Sequence, residues 1–212
     1  YVINLGSVDR EIPNAFAKLI AFSGTVYVIA PCPEKKRLAT EFRISVCSKR
    51  LVQAVNLLGV HQRKSLKETP VLPVESMFAS HFVRGIFDGD GSVGRYGGAL
   101  SASCSVVGSR DICEFVSLVA EKHGLPRGRP RLKSDPGLWI VSYTGNNITS
   151  AFGKMLYTDA TAWLPRKKTI FDSIAPGRNW KTAFFGRPAP ERDVTCMMCG
   201  KELRRKAQHI RA

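Results

Sequence analysis

The sequence predicts an α+β protein built twice on one plan, with a small tail at its end. Three observations carry this. Short runs that alternate residue by residue, "FRISV" (42–46) and "WIVSY" (139–143), read as strands. Other runs place apolar residues at helical spacing: Ile12, Phe16, Leu19 and Ile20, then Ile112, Phe115, Val116 and Val119. The order strand, Gly-Ser turn, helix, turn also recurs 102 residues on, with Ser7-x-Asp9 answered by Ser109-x-Asp111.

The elements follow in chain order. Residues 3–28 give a strand, a helix with Ser7 as its expected N-cap, and a turn; "TVYVIAP" and "ATEFRISV" follow as strands. An amphipathic helix over "LVQAVNLLGV" runs out near Arg63-Lys64. Pro70 and Pro73 punctuate a short linker that ends in a helix start. The second round opens on a helix through "FVRGIFDGDGSVG" (82–94), followed by strands in "SVGRYGGALSASCSVV", a helix capped by Ser109, and strands in "GRPRLKSDPGLWIVSYTG". A final helix leads to Arg166-Lys167, with several residues inserted relative to the first round. The expected divisions are 1–72 and 73–174 for the two repeats, 175–194 for a linker rich in Pro, Gly and Arg, and 195–212 for a separate small element. Moved back by 102 residues, the helix of 82–94 would fall before Tyr1, so the first repeat is expected to begin inside its plan.

Composition narrows the partners. The 212 residues carry 32 Lys and Arg against 17 Asp and Glu, a net charge of +15, which points to a polyanion and chiefly to nucleic acid. No apolar run is long enough to span a bilayer, and no basic amphipathic helix for a membrane surface stands out. Cys32, Cys47, Cys104 and Cys113 are scattered singly and read as small buried residues in an intracellular protein. Cys196-x2-Cys199 followed by His209 has the start of a Zn²⁺ site, with no fourth ligand in sight, and "KELRRKAQHIR" would be a basic helix on nucleic acid.

The helix over 82–94 ends oddly. Asp88 and Asp90 sit where the helix dipole disfavours an anion by a few tenths to ~1 kcal/mol. Gly85 and Gly89 fall one turn apart on a face with Phe78, Phe82 and Ile86, although Gly costs roughly 1 kcal/mol relative to Ala within a helix. Two glycines on one face predict the close approach of another backbone.

"VRGIFDGDG" resembles the LAGLIDADG motif of homing endonucleases, and the resemblance extends over roughly residues 1 to 172. It implies two pseudo-symmetric αββαββα repeats, motif helices paired at a pseudo-twofold axis, and a β-saddle over double-stranded DNA. It implies a site-specific endonuclease working as a monomer, in which Asp90 and a symmetry-related acid hold Mg²⁺ or another divalent cation. A bound cation would also reverse the field that an acid at a helix end otherwise opposes. Asp88 is then a support for the helix end. Lys64 and Lys167, with Lys168 as an alternative to the latter, fall where the family places a lysine near each scissile phosphate. On the implied DNA-facing strands Arg43, Arg95, Tyr96, Arg129, Arg131, Lys133 and Tyr143, with Arg63 and Arg166 beside the lysines, are expected groove or phosphate contacts. The competing expectation is the same fold without catalysis, binding DNA or RNA as a regulator or an intron maturase.

Overall fold

A computed structural model describes residues 1–35, 38–59, 69–96, 101–133 and 137–175, together with the backbone of 194–195 and 202–203. It divides into two units, Tyr1–Pro176 and Gly177–Ala212. Within the second, the described residues form a two-stranded antiparallel ladder. Among the described residues no helix is long and apolar enough to cross a membrane.

The first unit is α+β with two antiparallel sheets. Its elements are β1 (Val2–Ser7), α1 (Glu11–Leu19), β2 (Tyr27–Ile29), β3 (Glu41–Cys47) and α2 (Lys49–Leu57), then α3 (Ala79–Asp90), β4 (Gly91–Tyr96), β5 (Ser101–Gly108), α4 (Arg110–Lys122), β6 (Arg131–Leu132), β7 (Trp139–Thr144), α5 (Asn146–Tyr157) and α6 (Pro165–Asp172). The sheets run β1-β3-β2 and β4-β5-β7-β6. Leu5 faces Ile44 in the first, and Val107 faces Ile140 in the second. In each sheet, then, the strand before a helix pairs with the strand that follows it by two.

Capping explains two helix starts and corrects a third. Ser109 Oγ accepts from the Ile112 amide at 3.1 Å, and Ser48 Oγ from that of Leu51 at 3.1 Å, so α4 and α2 begin on hydroxyl caps. Ser7 does not cap α1. It is the last residue of β1, its hydroxyl accepts from the Asp9 amide at 3.1 Å, and α1 starts after Arg10 with no side-chain cap. The single helix expected before Arg166 is two. α5 ends at Tyr157, Asp159 takes a positive φ of 56°, and Pro165 restarts the chain as the first residue of α6.

The core lies under the second sheet. Ala79, Val83 and Phe87 form the buried face of α3, at helical spacing, and meet Val93, Cys104, Val106, Val116, Val141 and Phe152. Phe87 sits among Phe152 and Phe171, with ring centroids 5.8 and 5.5 Å away, and Tyr143 stacks on Phe152 at 4.8 Å. The first sheet and its helices bury less: Ile44 and Val46 of β3 and Pro13 of α1 are covered, whereas Val2 of β1, Leu19 of α1, and Leu57 and Leu58 at the end of α2 are exposed. Cys104 and Cys113 are buried as expected, and burial pushes the Cys113 thiol up to about 11. Cys47, however, is exposed and Cys32 half-buried, because Cys47 closes β3 on the face opposite Val46.

Candidate functional site

The "DGDG" segment spans the junction of α3 and β4. Asp90 is the last residue of the helix and Gly91 the first of the strand. A Cβ at Gly91 would stand 2.6 Å from the Phe87 carbonyl oxygen and would also strike the Phe87 ring, so only glycine lets the chain turn there. The Gly91 amide still donates to Phe87 O, closing the last turn.

The open carbonyls of this helix end are met by Lys167. Its Nζ donates to Phe87 O at 2.6 Å, Asp88 O at 2.9 Å and Gly91 O at 2.6 Å, and the residue is 3 % exposed. All three ammonium protons thus have carbonyl acceptors. The Phe87 ring centroid lies 5.2 Å from the same nitrogen. Burial, and then the adjacent Arg166 guanidinium, lower the lysine's pKa, while Asp88, Asp9 and Asp90 oppose the shift. This corrects the placement of Lys167 at a scissile phosphate: the side chain points into the protein and caps α3. It also supplies a positive charge at the helix terminus from within the chain, where the sequence had called only for a bound ion.

Asp88 is a second anchor. Tyr157 Oη donates to its Oδ1 at 2.8 Å and the Leu164 amide to its Oδ2 at 3.1 Å. Burial raises its pKa and outweighs these two hydrogen bonds and the charges of Lys167 and Arg84, which favour the anion. The supporting role expected of Asp88 matches this geometry. Tyr157 and Leu164 carried no sequence signal, since they reach Asp88 from 69 and 76 residues away.

Asp90 differs from its neighbour. It is exposed and makes no hydrogen bond or ion pair among the described residues. Beside it runs a cavity of about 560 Å³ lined by Gly85, Gly89, Phe82, Ile86, Leu5 and Val107, among others. A Cβ on Gly85 or Gly89 would meet nothing within 4 Å, so the described residues do not supply the backbone that these glycines led us to expect. Mg²⁺ is commonly held by one or two carboxylates plus phosphate and water oxygens, and a free carboxylate at a cavity mouth fits one of those donors. Among the described residues no group of three or more His, Cys, Asp or Glu gathers to hold a metal.

The expected DNA contacts divide by sheet face. Arg95 pairs with fully buried Ala102, so it lies on the helix-covered face, and its guanidinium donates to Ser173 O at 2.7 Å. Tyr143 lies on that face too and is buried. Tyr143 is therefore closed to solvent, whereas Arg95 is exposed but held by its bond to Ser173. Arg43 is on the open face of the first sheet but is tied to Glu41 at 2.8 Å. Arg166 is engaged with Asp9. Tyr96, Arg129, Arg131 and Lys133 are exposed. Tyr96 pairs with Ser101, and the open face between the edges carries Ser92, Ser103, Ser105, Ser142 and Thr144, whose hydroxyls meet across strands at 2.9 Å (Ser92–Ser105) and 3.2 Å (Ser103–Thr144). Lys168, the alternative to Lys167, pairs with Asp172 at 2.7 Å. Lys64 and Arg63, and the expected zinc ligands Cys196, Cys199 and His209, lie outside the described residues.

No family model matches the chain, and no curated protein matches it.

Proposed function

We propose that the chain is a site-specific, metal-dependent DNA endonuclease of the LAGLIDADG type, with two αββαββα-like repeats and Asp90 as the metal-binding acid. The observation that carries this reading is the contrast between the two aspartates. Asp88 is turned inward and held by Tyr157 and Leu164, while Asp90, two residues on, is left free at the mouth of the cavity beside Gly85 and Gly89. The helix end is already fixed through Lys167 and Asp88, so the fold does not require a carboxylate at Asp90. The corresponding sheet orders β1-β3-β2 and β5-β7-β6 support the repeat, and the +15 charge supports a polyanionic partner.

In this mechanism Asp90 would hold a divalent cation together with a second acid. Such a cation would supply charge stabilisation for phosphodiester hydrolysis. Tyr96, Arg129, Arg131 and Lys133 contact the duplex, with arginines and the lysine drawn chiefly to phosphates. Zn²⁺ at Cys196, Cys199 and His209 would tether the C-terminal element to flanking DNA, and an intracellular setting suits both the substrate and free thiols.

A second reading has its own support. Lys167 is committed to three carbonyls, and one acid is free at this helix end, which suits a protein that binds DNA or RNA without cutting. Incubating the protein and its Asp90→Asn variant with a randomised duplex library and Mg²⁺ separates the two. Cleavage by the wild type alone supports the endonuclease; tight binding with no cleavage by either supports the non-enzymatic reading.

A further inference from the structure

We propose that Lys167 and Tyr157 are positioning residues that hold the end of α3 in a clamp and so preset Asp90 for its cation. This rests on the reading of Asp90 as a metal-binding acid. The clamp has two jaws. Lys167, from α6, bonds the carbonyls of Phe87, Asp88 and Gly91, which bracket Asp90 on both sides. Tyr157, the last residue of α5, bonds the Asp88 side chain, and the Leu164 amide between α5 and α6 takes its other oxygen. The segment from Phe87 to Gly91 is thereby fixed at both backbone and side chain, and Asp90 is the one residue in it whose carboxylate is left outside.

Fixing it matters for a ligand on a flexible terminus. The last turn of a helix has carbonyls without intrahelical partners and tends to fray. An acid that must be ordered by the ion it binds binds that ion more weakly, and outer-shell residues that orient a ligand commonly change metal affinity or activity 10–100-fold when replaced. Lys167 makes no hydrogen bond to the Asp90 carboxylate; it holds the backbone on either side and places its charge nearby, so its effect belongs to ion affinity rather than to the chemical step.

The test uses Lys167→Met and Tyr157→Phe in the full chain, with two readouts. Amide hydrogen exchange across Phe87–Ser92, without added metal, is expected to quicken by about 10-fold or more in each variant. On cleaved DNA, the Mg²⁺ concentration for half-maximal rate is expected to rise about 10-fold or more, with the rate at saturating Mg²⁺ and the duplex affinity in Ca²⁺ near wild type. A structural lesion alone would not separate half-saturation from maximal rate in this way. Unchanged exchange in both variants overturns the proposal. So does a fall in maximal rate with half-saturation unmoved, which places the ammonium on the substrate. Should Lys167→Met not fold, Tyr157→Phe carries both readouts by itself. Should the wild type cut no DNA, the endonuclease reading fails, and the exchange experiment alone decides whether the clamp stands.

Discussion

Arg166 and Asp9 stand 157 residues apart in sequence and close a two-armed ion pair, Nε to Oδ1 at 2.8 Å and Nη2 to Oδ2 at 2.9 Å. The aspartate follows β1 and the arginine sits in α6, so the pair ties the start of the chain to the helix that caps α3. The matching aspartate of the second sheet, Asp111, accepts from Thr69 Oγ1 at 2.8 Å. Each of the two corresponding aspartates thus receives a donor from the other half. The hydrogen bonds to Asp9 raise the Arg166 pKa further, so the guanidinium keeps its charge. With Arg166 half-exposed, a double-mutant cycle of Asp9→Ala and Arg166→Ala should give a coupling of about 1 kcal/mol in urea unfolding. Strict additivity would show that the two halves are held by other contacts.

Asp90→Asn should separate stability from chemistry. Asp90 makes no hydrogen bond among the described residues, and its unfavourable place at a helix C-terminus is offset by the nearby Lys167 charge, so the loss of its charge is expected to change stability by less than about 0.5 kcal/mol. The same variant should lose cleavage below detection. A marked destabilisation would mean that Asp90 supports the fold and would undo its assignment as a ligand.

The glycine face allows a test that has a sign. Nothing lies within 4 Å of a Cβ built on Gly85, so in this chain Gly85→Ala should stabilise by about 0.5–1 kcal/mol through helix propensity alone. Thermal melts that instead show a loss would reveal a backbone packed on that face in solution. Gly91→Ala is the control in the opposite direction. The Phe87 carbonyl and ring crowd that position, and a loss of about 1–3 kcal/mol is expected.

The lysine clamp has a pH signature. Burial and Arg166 lower the Lys167 pKa below its ordinary 10.5. Between the lowered value and 10.5 the unfolded chain holds more of this proton than the folded one. The group's contribution therefore grows as pH rises through that window, and is lost as pH falls through the lowered value. Lys167→Met cannot titrate. The stability difference between wild type and variant should thus widen as pH rises towards 10.5 in matched urea melts, and a flat or narrowing difference would refute the shift.

Much of this was legible in the sequence, and the exceptions share a cause. Alternation and helical spacing located nearly every strand and helix, because those patterns are set by local geometry and by one buried face. The odd helix end at Asp88 and Asp90 was visible too, as a conflict with the helix dipole. Its resolution was not, because Lys167 reaches Phe87 O from 80 residues away. Arg95 was misjudged for a simpler reason: a period of two gives two faces but does not say which one is covered, and only pairing with Ala102 settles that. The glycines drew attention to one side of α3 and away from Ala79, Val83 and Phe87, the side that carries the core.

A helix terminus that brings its own cation does not depend on its surroundings for one. Chelators should leave this fold standing, and the acid at its tip can be exchanged without disturbing the scaffold beneath. Such a design uncouples the survival of the architecture from the survival of any chemistry performed there.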